Sequence, residues 1–287
     1  MRGCPWPALK PRALYTNWEA YLPMQRQAIP RTAKNVRRDK TYGSLEAFPD
    51  FLEKFTPPAG GFDPRGAWKL SYGVWLFAGD PGAVGFLEIE RQPAADGAAM
   101  KVATRIAHFN GYQEQNAALE CAADTLSSLR WLELESVSGT PEGQPLPATK
   151  TSARVQVRGS AVEFARGARK RTARAAPPVV ASWGLFDALQ RLSPDQPKAL
   201  EFTLLDDGDL LKPAQRLTYA GKTSIQVAGG AGLALDCWEQ TGYGVLPTHY
   251  WMDAQGRLLF AVAGQRAFLY EPEARQNAAG RRRRKRT

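Results

Sequence analysis

The chain has 287 residues, of which 44% are hydrophobic and 10% aromatic. This composition excludes a wholly disordered polypeptide, and no stretch approaches the ~18 consecutive apolar residues of a membrane-spanning helix. The net charge of +10 is concentrated in residues 1–40, 165–176 and 281–286, so the rest of the chain is net acidic and the total does not indicate a basic binding face.

Residues 1–64 are predicted to form an irregular Pro- and Arg-rich arm, because their apolar side chains follow neither a strand nor a helix period over any length. The exception is the segment 44–55, whose apolar residues recur at helical spacing and predict a short helix. The arm begins with positive charge but contains no apolar run of about 7–15 residues, so it does not read as a secretory signal. We therefore expect a cytoplasmic protein, or a periplasmic cell-envelope protein if the true start lies further upstream.

From Trp68 onward, apolar and polar side chains alternate in short runs that turn residues separate, which is the pattern of antiparallel strands. Asp80-Pro81-Gly82 and Asp96-Gly97 predict turns, because proline presets φ and glycine accepts positive φ. The first set of predicted strands covers residues 68–77, 84–91, 100–108, 112–121, 129–135 and 155–157. This set predicts an antiparallel meander within a domain of residues 65–272.

The basic stretch GARKRTARAAPP, residues 167–178, has no apolar side chain larger than alanine. It has nothing to bury in a core, so we predict an exposed, mobile loop. Such a loop is either simply solvated or a contact for nucleic acid or another anionic surface.

One amphipathic helix is predicted, from Ser182 to Leu192. Ser182 is placed to cap the first N–H groups, and Pro194 prevents continuation of the helix. The apolar stripe consists of Leu185, Phe186, Leu189 and Leu192. We expect this apolar stripe to pack against a sheet.

A second meander follows the helix. Its predicted strands cover residues 200–204, 216–219, 225–227, 233–237, 247–253, 257–263 and 266–270. Asp253 to Gly256 predicts a turn, as does Gly264-Gln265, and the glycine-rich residues 229–232 read as a turn rather than as a phosphate-binding loop. After Pro272, residues 273–287 are predicted to be a disordered basic tail.

Together, about a dozen antiparallel strands and one plug helix resemble the LolA/LolB-like half-barrel, and the stretch YWMDAQGRLLFAVAGQRAFLY (250–270) resembles the closing strands of bacterial cell-envelope proteins of unknown function. The resemblance covers residues 68–272. It implies a mainly β fold in which a curved sheet wraps a helix and leaves an apolar concavity. It also implies binding of a lipid or a lipoprotein tail.

The candidate ligand-binding residues are large side chains of the predicted strands and of the helix. They are Trp75, Trp131, Trp238, Tyr250, Trp251 and Leu189. Aromatic side chains on a curved sheet can line a groove for a lipid or a glycan, and they can equally form the core.

Catalytic and metal-binding patterns are weak. Two histidines are too few for a three-histidine zinc site, and we predict no cofactor and no metal site. His249 lies four residues before Asp253, which leaves an Asp–His relay conceivable. The acidic group Asp206, Asp207 and Asp209 partly matches a calcium loop but lacks its final glutamate. Cys121 and Cys237 read as small buried hydrophobes, although one disulfide between them is possible.

The sequence therefore favours a non-enzymatic protein that holds an apolar or amphiphilic ligand, such as a lipid or lipoprotein tail, in a half-barrel concavity. Two alternatives stay open. One is a hydrolase-like enzyme that uses His249. The other is a nucleic-acid-associated protein that acts through residues 165–176 and 281–286, although nothing indicates sequence-specific nucleic-acid binding. The oligomeric state is left open.

Overall fold

The structure, a computed structural model, describes residues 45–76, 83–108, 110–195, 198–264 and 266–278. All of them belong to the compact unit of residues 40–287. Predictions for residues 1–44, 77–82 and 279–287 lie outside this described part, and they include the Asp80-Pro81-Gly82 turn and the basic run 281–286.

The described residues form fifteen strands, the two short α-helices named below and a further helical turn at residues 274–278. Helix α1 (Pro49–Leu52) follows a 3-10 turn (Leu45–Ala47). The strands before the second helix are β1 (Trp68–Leu76), β2 (Ala83–Ala94), β3 (Gly97–His108), β4 (Gly111–Ala122), β5 (Leu129–Gly139), β6 (Thr151–Arg158), β7 (Ala161–Arg166), β8 (Arg169–Arg174) and β9 (Val179–Ala181). After helix α2 (Gly184–Arg191) come β10 (Leu200–Asp206), β11 (Leu210–Gln226), β12 (Gly232–Thr241), β13 (Thr248–Met252), β14 (Leu258–Ala263) and β15 (Arg266–Tyr270). Two further 3-10 turns cover Pro147–Thr149 and Ala228–Gly230.

All fifteen strands belong to one curved, open sheet, which confirms the predicted mainly β class. The order is β8-β7-β6-β5-β4-β3-β2-β1-β15-β14-β13-β12-β11-β10-β9, so the two meanders join where β1 pairs with β15. Every pair is antiparallel except β9 with β10. The sheet curls far enough that the turn after β10 meets β5, where a Cβ added to Gly208 would lie 3.0 Å from Leu134 Cδ2.

Each face of the sheet buries its own apolar cluster. We call the face that packs against α2 the inner face and the opposite face the outer face. Leu70, Tyr72 and Val74 of β1 point to the inner cluster. The outer cluster contains residues of β12 to β15 and is covered by residues 45–55, among them Phe48 and Phe55. The segment 45–55 therefore caps the outer face, and its helix is shorter than the predicted one.

Helix α2 is buried on nearly all sides. Residues 184–190 are all buried, whereas the sequence pattern predicts burial of one stripe only. Gly184 begins the helix two residues later than predicted, and no side chain caps it. Ser182 instead donates its hydroxyl hydrogen to the Asp206 carboxylate at 2.9 Å, and Leu205 O lies 3.2 Å from the same hydroxyl oxygen. The predicted serine cap was wrong because β10 competes for that hydroxyl.

A buried ion-pair network anchors α2. Asp187 accepts hydrogen bonds from Arg91 Nε of β2 at 2.6 Å, from Ser127 Oγ at 2.5 Å and from Arg191 Nη2 at 3.2 Å. Arg91 also donates to the carbonyl oxygens of Arg65 and Gly66. The side chains of Arg91 and Asp187 are 6% and 2% exposed, so their charges are compensated by each other and by hydrogen bonds rather than by water.

Two segments that were predicted to lack regular structure are ordered. Residues 167–178 were expected to be a loop, but β8 lies within them and pairs with β7 over six residue pairs. Disorder was expected from residue 273, but residues 274–278 form a helical turn in which Arg275 donates to Glu88 at 2.8 Å. In both places main-chain or ionic contacts order a segment that has almost no apolar side chains.

Candidate functional site

A cavity of about 400 Å³ lies on the inner face between α2 and the second meander. This volume falls in the range of about 300–1,000 Å³ that is usual for small-molecule sites. The apolar lining residues are Leu87, Trp183, Leu185, Phe186, Leu204, Val245, Leu246, Tyr250, Ala261, Ala263 and Phe268. The polar ones are Ser182, Asp206, Asp207, Lys212, Gln240, Thr248 and Arg266.

The floor of the cavity is a row of side chains across three strands. Tyr250 of β13, Ala261 of β14 and Phe268 of β15 lie directly opposite one another in the register. Phe186 of α2 meets the two rings edge-on, at centroid distances of 6.5 Å to Tyr250 and 5.9 Å to Phe268. The space exists because the residue between the two aromatic rings is an alanine.

Charged groups gather at the β10–β11 end of the cavity. Lys212 Nζ lies 2.6 Å from Asp206 Oδ2, and the other carboxylate oxygen accepts the hydrogen bond from Ser182. Burial and then the neighbouring Asp206 charge raise the pKa of Asp207, which Arg266 partly opposes. Arg266 is exposed and has no ion-pair partner among the described residues. The cavity is therefore apolar on its floor and charged at one end.

A chain of buried hydrogen bonds fixes the aromatic floor. The Tyr250 hydroxyl donates to Gln240 Oε1 at 2.8 Å, and Gln240 Nε2 donates to Gln215 Oε1 at 3.0 Å. Gln215 in turn donates to Tyr243 O at 2.9 Å. Burial raises the pKa of Tyr250 well above its ordinary value, so the hydroxyl stays protonated and positions the ring.

The six candidate ligand-binding residues fall into two groups. Leu189, Trp238 and Tyr250 lie on the inner face, and of these only Tyr250 lines the cavity. Trp75 and Trp251 belong to the outer cluster, where Phe51 meets Trp75 at 5.5 Å. Trp131 also lies on the outer face and donates its indole hydrogen to Glu120 at 2.9 Å. The sheet thus separates three of the candidates from the cavity.

His249 lies on the outer face, away from the cavity. Its Nε2 is 3.5 Å from Glu239 Oε1, and its ring stacks on Trp251 at 5.7 Å. Asp253 instead closes its own turn by accepting the backbone N–H groups of Gln255 and Arg257. The histidine is therefore paired with a carboxylate of the neighbouring strand rather than with Asp253.

The acidic and cysteine candidates form no shared site. Asp206 is engaged by Lys212, and no cluster of three metal-ligating side chains occurs within the described ranges. Cys121 belongs to the inner cluster and Cys237 to the outer one, and both are free thiols. A disulfide between them would have to cross the sheet.

Neither Cys121 nor Cys237 should react with iodoacetamide in the native protein at pH 8. Burial raises the pKa of both thiols to about 12, and the thiolate is the reactive form. Peptide mapping by mass spectrometry after alkylation should find both unmodified, and both modified once guanidinium unfolds the chain. Native modification of either thiol as fast as in the unfolded chain would contradict this placement.

Sequence reasoning missed most of the cavity lining. Asp206 stands out in the sequence only through its partial match to a calcium loop, and Lys212, Ala261 and Ala263 carry no distinctive pattern. The available signals were Tyr250, one of the aromatic candidates, and Phe186, which lies on the predicted apolar stripe beside Leu185. The remaining residues come together only through strand pairing.

In the described part of the chain, no helix has the length and apolarity needed to span a membrane.

Comparison with protein-family models and with curated proteins finds no match to this sequence. Among solved structures, the chain is similar to a beta-barrel-like protein of domain of unknown function DUF1849 from Brucella abortus. The two share 10% identity at a TM-score of 0.49, over 72% of this chain and 95% of the other.

Proposed function

We propose that the protein is a non-enzymatic binding protein that holds one apolar or amphiphilic ligand in the inner-face cavity. The observation that carries the proposal is the cavity itself, with an aromatic floor at one end and charged side chains at the other. Sites of this kind use apolar area for affinity and a few placed polar groups for orientation. The LolA/LolB-like resemblance of the sequence points to the same class of ligand.

The arrangement of apolar and charged residues would fix the orientation of the bound ligand. Its apolar part would lie on Tyr250, Ala261 and Phe268, where Phe186 closes the other side. Its polar end would face Lys212 and Arg266. Leu189 and Trp238 belong to the inner cluster but do not line the cavity, so Tyr250 is the proposed direct contact among the sequence candidates.

Replacing Ala263 with tryptophan should strongly weaken binding of an apolar probe. Ala263 is half-buried and lines the cavity, so a large ring there would occupy the space without entering the tightly packed core. With cis-parinaric acid as the probe, we expect a fluorescence increase that saturates near one molecule per chain. We expect Ala263→Trp to weaken that binding at least about tenfold, as the loss of a buried apolar contact area predicts.

Ala165→Trp is the matched control, because Ala165 is also half-buried but lies on the outer face of β7. It should bind the probe as the unchanged protein does. Equal binding by the Ala263→Trp variant would refute the cavity as the binding site. Failure of the unchanged protein to bind cis-parinaric acid and a neutral fluorescent lipid would refute the proposed ligand class.

A further inference from the structure

Strand β8 ends the sheet and leaves one main-chain edge open. No described residue pairs with the side of β8 that faces away from β7. Such an edge presents unpaired N–H and C=O groups to which another extended chain can add. The opposite end of the sheet differs, because β9 has three residues only.

The register shows which main-chain groups point outward. Ala175 N–H donates to Ser160 O, which makes this a hydrogen-bonded pair of the β7–β8 ladder. Hydrogen-bonded and non-hydrogen-bonded pairs alternate along an antiparallel ladder. Lys170, Thr172 and Arg174 therefore direct their N–H and C=O groups away from β7. This gives three donors and three acceptors, spaced as in a strand.

The side chains of β8 are strongly basic. The strand reads RKRTAR, with four basic residues and no acidic one, and all of its positions but Ala173 are exposed. Arg171 is engaged, since its guanidinium lies 3.8 Å above the Phe164 ring and donates to Asp209 O. Arg169, Lys170 and Arg174 have no ion-pair partner among the described residues.

We propose that β8 is a docking strand for an extended acidic segment of another polypeptide, which adds to the sheet edge beside it. The open main-chain edge selects an extended polypeptide, and the unpaired cations select acidic side chains, since opposite charges across strands stabilise pairing. The terminal segments of this chain do not fit. Residues 1–40 carry nine basic and two acidic residues, and residues 281–286 are all basic.

The registers predict where the acidic residues fall. Lys170, Thr172 and Arg174 share the outer face of β8, opposite Ala165, Glu163 and Ala161. A partner strand centred on Thr172 would place two acidic side chains four positions apart against Lys170 and Arg174. The probe is a fluorescein-labelled heptapeptide with valine at odd positions and glutamate, threonine and glutamate at the even ones.

Thr172→Pro tests main-chain pairing without changing the charge. Proline removes an N–H that points away from β7, and edge strands tolerate proline at such positions. We expect fluorescence anisotropy with the full chain to show at least about fivefold weaker peptide binding. Thr172→Val, which keeps the N–H, should bind within about twofold of the unchanged protein. Thermal midpoints should confirm that both variants fold.

A second variant tests the charge independently. Lys170→Glu combined with Arg174→Glu changes two exposed side chains and should abolish binding of the acidic peptide, while a peptide with lysine for glutamate should not bind the unchanged protein. Equal peptide binding by Thr172→Pro and the unchanged protein would overturn strand addition. Strand addition would also be overturned if a single-stranded oligonucleotide bound both proteins tightly and displaced the peptide. In that case β8 would be a general polyanion surface.

Discussion

Replacing Asp187 with alanine should lower the free energy of unfolding by about 3–5 kcal/mol, which is the usual cost of leaving a buried charge without its partner. Arg91 would keep its buried guanidinium but lose the carboxylate at 2.6 Å, and Ser127 and Arg191 would lose the same acceptor. Since the pair joins α2 to β2, the helix would lose its ionic link to the sheet. Urea unfolding followed by intrinsic fluorescence measures the loss.

Asp195→Ala is the matched control, because Asp195 is exposed just beyond α2 and its side chain makes no ion pair among the described residues. It should change stability by no more than about 0.5 kcal/mol. The double variant Arg91→Met with Asp187→Leu should recover much of the stability, since an apolar pair avoids the cost of burying charges. A loss below 1 kcal/mol for Asp187→Ala would show that the network does not hold the helix.

Leu189→Ala should cost about 2–5 kcal/mol, as a buried leucine truncation that leaves a void. Leu189 is 1% exposed and belongs to the inner cluster that the helix shares with the sheet. The same urea unfolding measures it. Leu146→Ala serves as the control, because Leu146 is 42% exposed and should change stability little. A cost below about 0.5 kcal/mol for Leu189→Ala would make α2 peripheral to the fold.

The two stability predictions also bear on ligand binding. Asp187 and Leu189 lie in the same helix as Phe186, which covers the aromatic floor of the cavity. A variant that loosens α2 without unfolding the protein should therefore weaken probe binding even though neither side chain lines the cavity. Ala263→Trp should weaken binding and leave α2 in place. The two kinds of variant therefore distinguish loss of binding caused by filling the cavity from loss of binding caused by loosening the helix.

Strand β8 could not be predicted from the periodicity of apolar side chains. Four of its six side chains are basic, the other two are threonine and alanine, and only Ala173 is even half-buried, so no apolar signal marks it. An edge strand with solvent around it needs main-chain pairing with β7 and little else. The sequence pattern of such a strand is the pattern of a solvated loop, and only the neighbouring strand distinguishes the two.

The face to which each candidate residue points was decided by the tertiary structure. Period-2 alternation requires Tyr250 and Trp251 to lie on opposite faces. It does not say which face carries the cavity, because at β13 both faces are apolar. Residues 45–55 cover one and α2 covers the other. The same ambiguity explains why Trp75 and Trp251 were grouped with Tyr250.

The sequence by itself determined the antiparallel strand pattern, the position of α2 to within two residues and the turn at Asp253–Gly256, because these depend on side-chain periodicity and on the preferences of single residues over a few positions. The tertiary structure decided the pairing of β1 with β15, the ion pair between Arg91 and Asp187 and the lining of the cavity. Arg91 and Asp187 are 96 positions apart, and Leu87 and Phe268 both line the cavity although β2 comes early in the chain and β15 is the last strand. Contacts between residues so far apart in sequence depend on which strands pair, when several have equivalent patterns, and on the curvature of the resulting sheet. No local sequence pattern encodes either of these.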